Sequence, residues 1–302
     1  MTCEKIMIIE PGGGLGNRLL TISSAYNLAK DCGITDIRLL WRNNNECGCD
    51  FEDVLDKLPL PTKVRTMHFG KESYQDLLKK CDVCGALHKC FQMLFYKIFR
   101  RWSSTVQLKT YQDMPVEEKQ SLKDMVLSSK SKYVYIEAYY SFYGQLDLSG
   151  VSFNKDIEKK FVACKQALGS YDAMHIRRTD NVVAIEKSPT KLFYDKIDEL
   201  ISGNEDNSRA DVSDLRGGIV KKKIYIATDD SGILDDLRNR YPDAIVSEAN
   251  SGVSRTSSEG MQFALYEMLI LSGAETLYAS YGSTFTVIAN AIGSNRLVVL
   301  EV

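Results

Sequence analysis

Apolar and polar positions in this chain follow two periods that take turns along its length. Ile6-Met-Ile-Ile9 is a short apolar run that reads as a buried first strand. A glycine-rich loop from Pro11 to Gly16 follows. Asn17 to Asp31 then carries Leu19, Leu20, Ile22, Tyr26 and Ala29 at helical spacing, with Gly33 just past the end. Ile37-Arg-Leu-Leu-Trp41 is the next expected strand, which makes a β-α-β unit with a right-handed crossover. Residues 72–130 read as mostly helical, and Tyr133 to Ala138 as a strand.

The second half repeats the alternation. Strands are expected at Ala173–Ile176, Lys223–Ala227, Ala244–Ser247, Thr276–Ala279 and Arg296–Leu300. Helices are expected at 155–168, 190–202, 230–240, 258–272 and 283–292. The polar stretch Gly203 to Lys222 fits neither period and reads as a surface insertion. Strands and helices of these lengths imply mainly parallel sheets, so the fold class is α/β. We expect two Rossmann-like domains, 1–150 and 151–302.

Composition narrows the function. Lys+Arg 38 against Asp+Glu 40 gives a net charge of -2, which disfavours a generic nucleic-acid binder. No segment reads as a signal peptide or a membrane span, so a cytoplasmic protein is expected. Ala86 to Trp102 is amphipathic and basic, which suits packing on its own domain or peripheral contact with an anionic membrane. Among the eight cysteines, Cys47-Gly-Cys49, Cys81-Asp-Val-Cys84 and Cys90, with His88, could be read as zinc ligands. Cys47-x-Cys49 has the wrong spacing for a zinc knuckle, and reduced thiols are the favoured reading.

The chemistry gathers at three predicted strand ends. The first is His175-Ile-Arg-Arg-Thr-Asp180, the second Tyr225-Ile-Ala-Thr-Asp-Asp230, and the third Gly282-Ser-Thr-Phe285. Open α/β sheets bind ligands outside the carboxyl ends of their strands, so these segments are expected to converge on one molecule. Adjacent arginines suit phosphate, because guanidinium matches its oxygens bidentately. One of Arg177 and Arg178 should face the ligand, and the other should pair with Asp180 or a neighbouring carboxylate. His175 lies on the strand itself. One of Asp229 and Asp230 is expected to be a helix N-cap, and Ser283 and Thr284 could cap a helix or bind phosphate. Glu267, within a predicted helix, could pair with the N1–H and exocyclic amine of guanine or could simply be solvated. The N-terminal loop Pro11-Gly-Gly-Gly-Leu-Gly-Asn-Arg18 fails both the dinucleotide fingerprint and the P-loop pattern. It is still a glycine turn at a helix start, where Gly13 and Gly14 could offer N–H groups to an anion and Asn17 and Arg18 could add donors.

Taken together, these segments resemble the fucosyltransferase superfamily that includes α-1,6-fucosyltransferases and protein O-fucosyltransferases. The likeness is nearest to the α-1,6 branch, whose His-Val-Arg-Arg-Thr-Asp is similar to His175–Asp180 and whose Tyr-Leu-Ala-Thr-Asp-Asp is similar to Tyr225–Asp230. A further Thr-Phe-Ser-Ser segment resembles Tyr281–Thr284. The resemblance implies a GT-B fold, with two Rossmann-like domains facing a central cleft. GDP-fucose would be bound by the C-terminal half, and a glycan or lipid-linked glycan acceptor largely by the N-terminal half. It implies that Arg177 holds the diphosphate, His175 touches the nucleoside, and Ser283 or Thr284 meets phosphate. It places an aspartate where this chain has Glu267, and a catalytic base about one position from Glu186. After Asp180 the α-1,6 enzymes carry Lys, whereas this chain carries Asn181. No cofactor and no metal are expected, since no Asp-x-Asp dyad stands where a metal-bound diphosphate would need it. Other readings are the same fold with another nucleotide sugar, a catalytically silent nucleotide- or glycan-binding module, and an oxidoreductase, which the failed glycine fingerprint disfavours.

Overall fold

The computed structural model describes residues 4–68, 107–110, 116–179, 182–207, 222–248 and 254–302. The chain divides into two compact units, Met1–Asn154 with Ser254–Gln262, and Lys155–Val253 with Phe263–Val302.

The first unit is built on β1 (Ile6–Pro11), α1 (Leu15–Cys32), β2 (Asp36–Asn43), α2 (Phe51–Val54), β3 (Leu55–Lys57), β4 (Thr62–His68), β5 (Gln107–Thr110), α3 (Val116–Ser128), β6 (Tyr133–Ala138) and β7 (Ser152–Phe153). Five strands form a parallel sheet in the order β4-β2-β1-β6-β5, and β3 pairs antiparallel with β7. β1 is buried along its whole length, as a central parallel strand must be. The helix α1 ends as its sequence predicts. Gly33 takes φ 67, and its N–H reaches the carbonyls of Ala29 and Lys30.

The second unit contains α4 (Lys155–Leu168), β8 (Tyr171–Ile176), α5 (Val182–Lys187), α6 (Thr190–Asn207), β9 (Lys223–Thr228), α7 (Ser231–Arg240), β10 (Ile245–Val246), β11 (Thr276–Ala279), α9 (Thr284–Gly293) and β12 (Arg296–Val299). Between β10 and β11 runs α8 (Ser258–Ser272), whose first residues belong to the first unit. The sheet order is β10-β9-β8-β11-β12, all parallel. Alternate residues of the central strands (Met174, Ile176, Ile224 and Ile226) pack against Phe193 and Ile197 of α6 and Leu234 and Leu237 of α7. Order reverses between β8 and β11, and such a switch point is where open α/β sheets place a ligand.

Several expectations need correction. Within 72–130 a strand, β5, interrupts the expected helix; residues 69–106, including the predicted amphipathic helix and Cys81, Cys84, His88 and Cys90, lie outside the described residues. β4 was not expected, because Lys63 and Arg65 on its outward positions and the prolines before it hide the strand pattern. The short α5 was also unforeseen, and α6 runs on into the predicted surface insertion as far as Asn207. Among the described residues no helix is long and apolar enough to cross a membrane.

Arg18 shows how the first unit is tied together. Its side chain is completely buried, with the guanidinium 4.5 Å from the Trp41 ring centre. Nε donates to Gly13 O (3.0 Å), Nη1 to Arg42 O (2.7 Å) and Nη2 to Asn44 Oδ1 (3.1 Å). Three acceptors depend on this one group, and each is costly to leave unpaired. Replacing Arg18 with Met should therefore lower unfolding free energy by about 3 kcal/mol, as read by urea denaturation. A loss within error of zero would show that the guanidinium does not brace this loop.

Candidate functional site

The backbone that leaves β8 enters a loop whose amides must find partners, and side chains from the two neighbouring strands supply them. Ser280, just after β11, accepts from Arg177 N–H at 3.0 Å and passes its own hydroxyl proton to His175 O at 3.2 Å. Asp229, just after β9, accepts from Arg178 N–H (2.7 Å), Thr179 N–H (3.3 Å) and the Thr179 hydroxyl (2.7 Å). Asp230 is the expected N-cap of α7, taking the N–H groups of Gly232 and Ile233.

The two arginines part company here. Arg178 folds back on its own unit: Nη1 donates to Arg177 O at 2.6 Å, Nη2 to Ser188 O at 2.9 Å and Nε to Thr190 Oγ1 at 3.0 Å. Its guanidinium also lies 5.3 Å from the Phe193 ring centre. These three acceptors are neutral oxygens, two of them at the end of α5 and the start of α6, while the charges of Asp229 and Asp230 act on the same guanidinium. Asp180 and Asn181 lie outside the described residues. Arg177 keeps 26% of its side chain exposed, and its Nε stands 3.9 Å from Asp229, at the limit of an ion pair.

His175 is buried and stacks on Phe285, ring centres 5.1 Å apart and planes 23° apart. Burial, helped by the Arg177 charge and opposed by Asp229, holds its pKa at about 4, so the imidazole is neutral at neutral pH. Its Nδ1 lies 3.4 Å from the Ser283 hydroxyl. That hydroxyl therefore does not cap α9, although Ser283 is the N-cap residue. Gly282 turns the chain with φ 65, and Thr284 and Phe285 begin the helix with N–H groups that have no intrahelical acceptor. Arg177, His175, Ser283 and the start of α9 thus gather on the two strands that flank the order reversal.

The remaining expected site residues lie on other elements. Glu186 is on the exposed side of α5. Glu267 faces Tyr225, the third residue of β9, two positions short of the Ala227 level at which His175 lies. Burial raises its pKa to about 8, with the nearby Tyr225 hydroxyl opposing the shift and Glu248 adding to it. In the first unit, Gly12 N–H donates to Ala138 O, and Gly13 N–H donates to Glu46 Oε2 at 3.2 Å. Gly13 needs its glycine for φ 77, and Asn17 packs directly beneath it. Gly14 caps α1 with backbone alone. The anion expected at this loop is thus supplied, at Gly13, by the protein's own Glu46, while Arg18 is buried as a brace rather than offered as a donor. Sequence reading missed Ser280, Ser188 and Glu46. The Ala-Ser-Tyr-Gly-Ser-Thr run at 279–284 holds the one usable signal, a serine at the end of a strand.

No protein-family model matches the chain, and none of the curated proteins matches it. Solved structures do. NodZ α-1,6-fucosyltransferase from Bradyrhizobium, soaked with GDP-fucose, is similar with TM-score 0.57 and 16% identity, over 95% of this chain and 92% of that one. A mutant of Arabidopsis thaliana FUT1 in complex with GDP gives TM-score 0.58 and 15% identity, covering 98% of this chain and 71% of that one. POFUT1 in complex with GDP-fucose gives 0.54 and 11%, covering 99% of both chains. The fold is GT-B. In this GT-B chain the polar residues of the second unit collect at the strand ends where a ligand is expected, and in the glycine loop the Gly13 amide and the Arg18 side chain are held by the protein's own acceptors.

His175 and Glu267 make opposite pH predictions. The folded pKa of His175 lies below its unfolded value, so its contribution is present above about pH 6.5 and lost as pH falls toward 4, about 3 kcal/mol in all. The folded pKa of Glu267 lies above its unfolded value, so its contribution is full below about pH 4.5 and lost as pH rises through 8. Denaturation curves at several pH values should show that His175→Gln removes an acid-side loss and Glu267→Gln an alkaline-side loss. Parallel pH profiles for both variants and the unmodified protein would contradict these placements.

Proposed function

We propose that this protein is an inverting glycosyltransferase that moves fucose from GDP-fucose to a hydroxyl of a glycan acceptor. The observation that carries the reading is the grouping of Arg177, neutral His175, Ser283 and the uncapped start of α9 at the order reversal of a GT-B chain's second sheet. Support for the donor comes from the solved neighbours, whose titles name fucosyltransferases with GDP or GDP-fucose.

The chemistry follows from what these groups supply. As the bond between the sugar's C1 and the β-phosphate oxygen breaks, charge builds on the departing diphosphate. Arg177 and the N–H groups of Thr284 and Phe285 neutralise it. A neutral His175 adds no competing charge, and Phe285, stacked on its buried ring, offers a flat face suited to the nucleoside. The acceptor oxygen forms the new bond on the opposite face of C1 and loses its proton to a base. Glu186 is the proposed base, because its exposed carboxylate follows the Arg177 loop on α5. In this account the leaving charge is met by protein groups, so added metal has no part.

The test is donor turnover by purified protein with a panel of glycan acceptors. Arg177→Ala should lower kcat/KM by on the order of 10²–10³ while leaving the urea midpoint nearly unchanged, and Glu186→Gln should lower kcat. Chelator should leave the rate as it was. Equal turnover in Arg177→Ala and the unmodified protein would overturn the assignment.

A further inference from the structure

The first unit holds a second piece of chemistry that sugar transfer does not use. Cys47 and Cys49 have no exposed surface, and their sulfurs lie 3.7 Å apart in hydrogen-bonding contact. The backbone between them is pinned. Gly48 N–H donates to Arg255 O at 2.8 Å, and a Cβ on Gly48 would come within 2.2 Å of the Thr256 carbonyl carbon. Cys47 exchanges two backbone hydrogen bonds with Asn44, at 3.1 and 3.2 Å, and Cys49 O accepts from the Trp41 indole at 2.8 Å. Only glycine fits at the centre of this bend, and the bend brings the two side chains together. A disulfide needs an S–S distance of about 2.05 Å, so small side-chain rotations would close it.

We infer that Cys47 and Cys49 form a redox-active dithiol that hydrogen peroxide closes to a disulfide, with Cys47 as the attacking sulfur and Cys49 as the resolving one. The roles follow from the surroundings. The Cys49 S–H and the Arg18 guanidinium both favour a thiolate on Cys47 and draw its pKa down, whereas Cys49 is pushed up by its neighbour and by burial. The Cys47 thiolate displaces hydroxide from peroxide and becomes a sulfenic acid. The Cys49 sulfur then attacks the Cys47 sulfur, the S–S bond forms, and water leaves. In sum, two thiols and one peroxide give one disulfide and two waters. Burial also selects the oxidant. Peroxide is close to water in size, whereas a bulky disulfide such as oxidised glutathione cannot reach a sulfur with no exposed surface. The turn that closes is also the turn that presents Asn44 to Arg18 and Glu46 to Gly13, so oxidation acts directly on the brace of the glycine loop.

The experiment treats full-length protein with one equivalent of peroxide, unfolds it in excess N-ethylmaleimide and maps the peptides by mass. The expected product is a peptide with Cys47 and Cys49 both unalkylated and lighter by two hydrogens. It should form on the order of tenfold faster than oxidation at Cys32, whose thiol is raised by burial. A thiol reductant should restore both alkylations, and Trp41 emission should fall and recover in step. In Cys49→Ser, Cys47 should be trapped by dimedone as sulfenic acid. The inference is overturned if both sulfurs of the unmodified protein stay alkylatable after Cys32 has oxidised. It is also overturned if Cys47 bridges to another cysteine, or if the purified protein carries zinc that holds both sulfurs against peroxide.

Discussion

Three consecutive amides at the end of β8 set the geometry on which the candidate site depends. The N–H groups of Arg177, Arg178 and Thr179 leave the sheet past the last residues that pair with β9 and β11. Ser280 and Asp229, each the first residue after a flanking strand, accept all three. The loop is therefore held from both sides by the sheet that delivers it. Its position is tied to strand register, His175 opposite Ala227 on one side and Ala279 on the other. Side-chain flexibility has little say in where the Arg177 backbone sits.

That constraint explains how adjacent residues of the same type divide the work. With the backbone fixed, successive side chains point to different sides. Arg178 is drawn into a ring of neutral oxygens that closes α5 and α6 onto β8, and Arg177 is left on the half-exposed side beside Asp229. The same logic separates Asp229 from Asp230: one organises the loop and the other starts a helix. The Ser283 hydroxyl pairs with Nδ1 of a buried, neutral His175, and no side chain caps the start of α9.

Much of this arrangement was legible in the sequence, for identifiable reasons. The central strands β8, β9 and β11 of the second sheet are buried almost throughout, so their apolar runs stand out between helices of clear period, and predicted and observed bounds mostly agree within a few residues. The strand-end motifs were legible because they interrupt those runs with charge. Features set by distant parts of the chain were hidden. Arg18, one turn into a helix, looks like a surface charge until Trp41 and the carbonyls of Gly13 and Arg42 are folded around it. Glu267 stands on a helix flank whose spacing shows neither its neighbour Tyr225 nor the upward shift of its pKa. β4, an edge strand, lacks the apolar face that betrays its neighbours.

The claim at the centre of this account is that a sugar diphosphate is received where β8 and β11 end. A crystal structure of the protein with GDP would test it most directly. The account predicts diphosphate oxygens within hydrogen-bonding distance of the Arg177 guanidinium and of the Thr284 or Phe285 amide. GDP bound against the Gly13 loop instead, with Arg177 closed onto Asp229 and out of reach of phosphate, would contradict it.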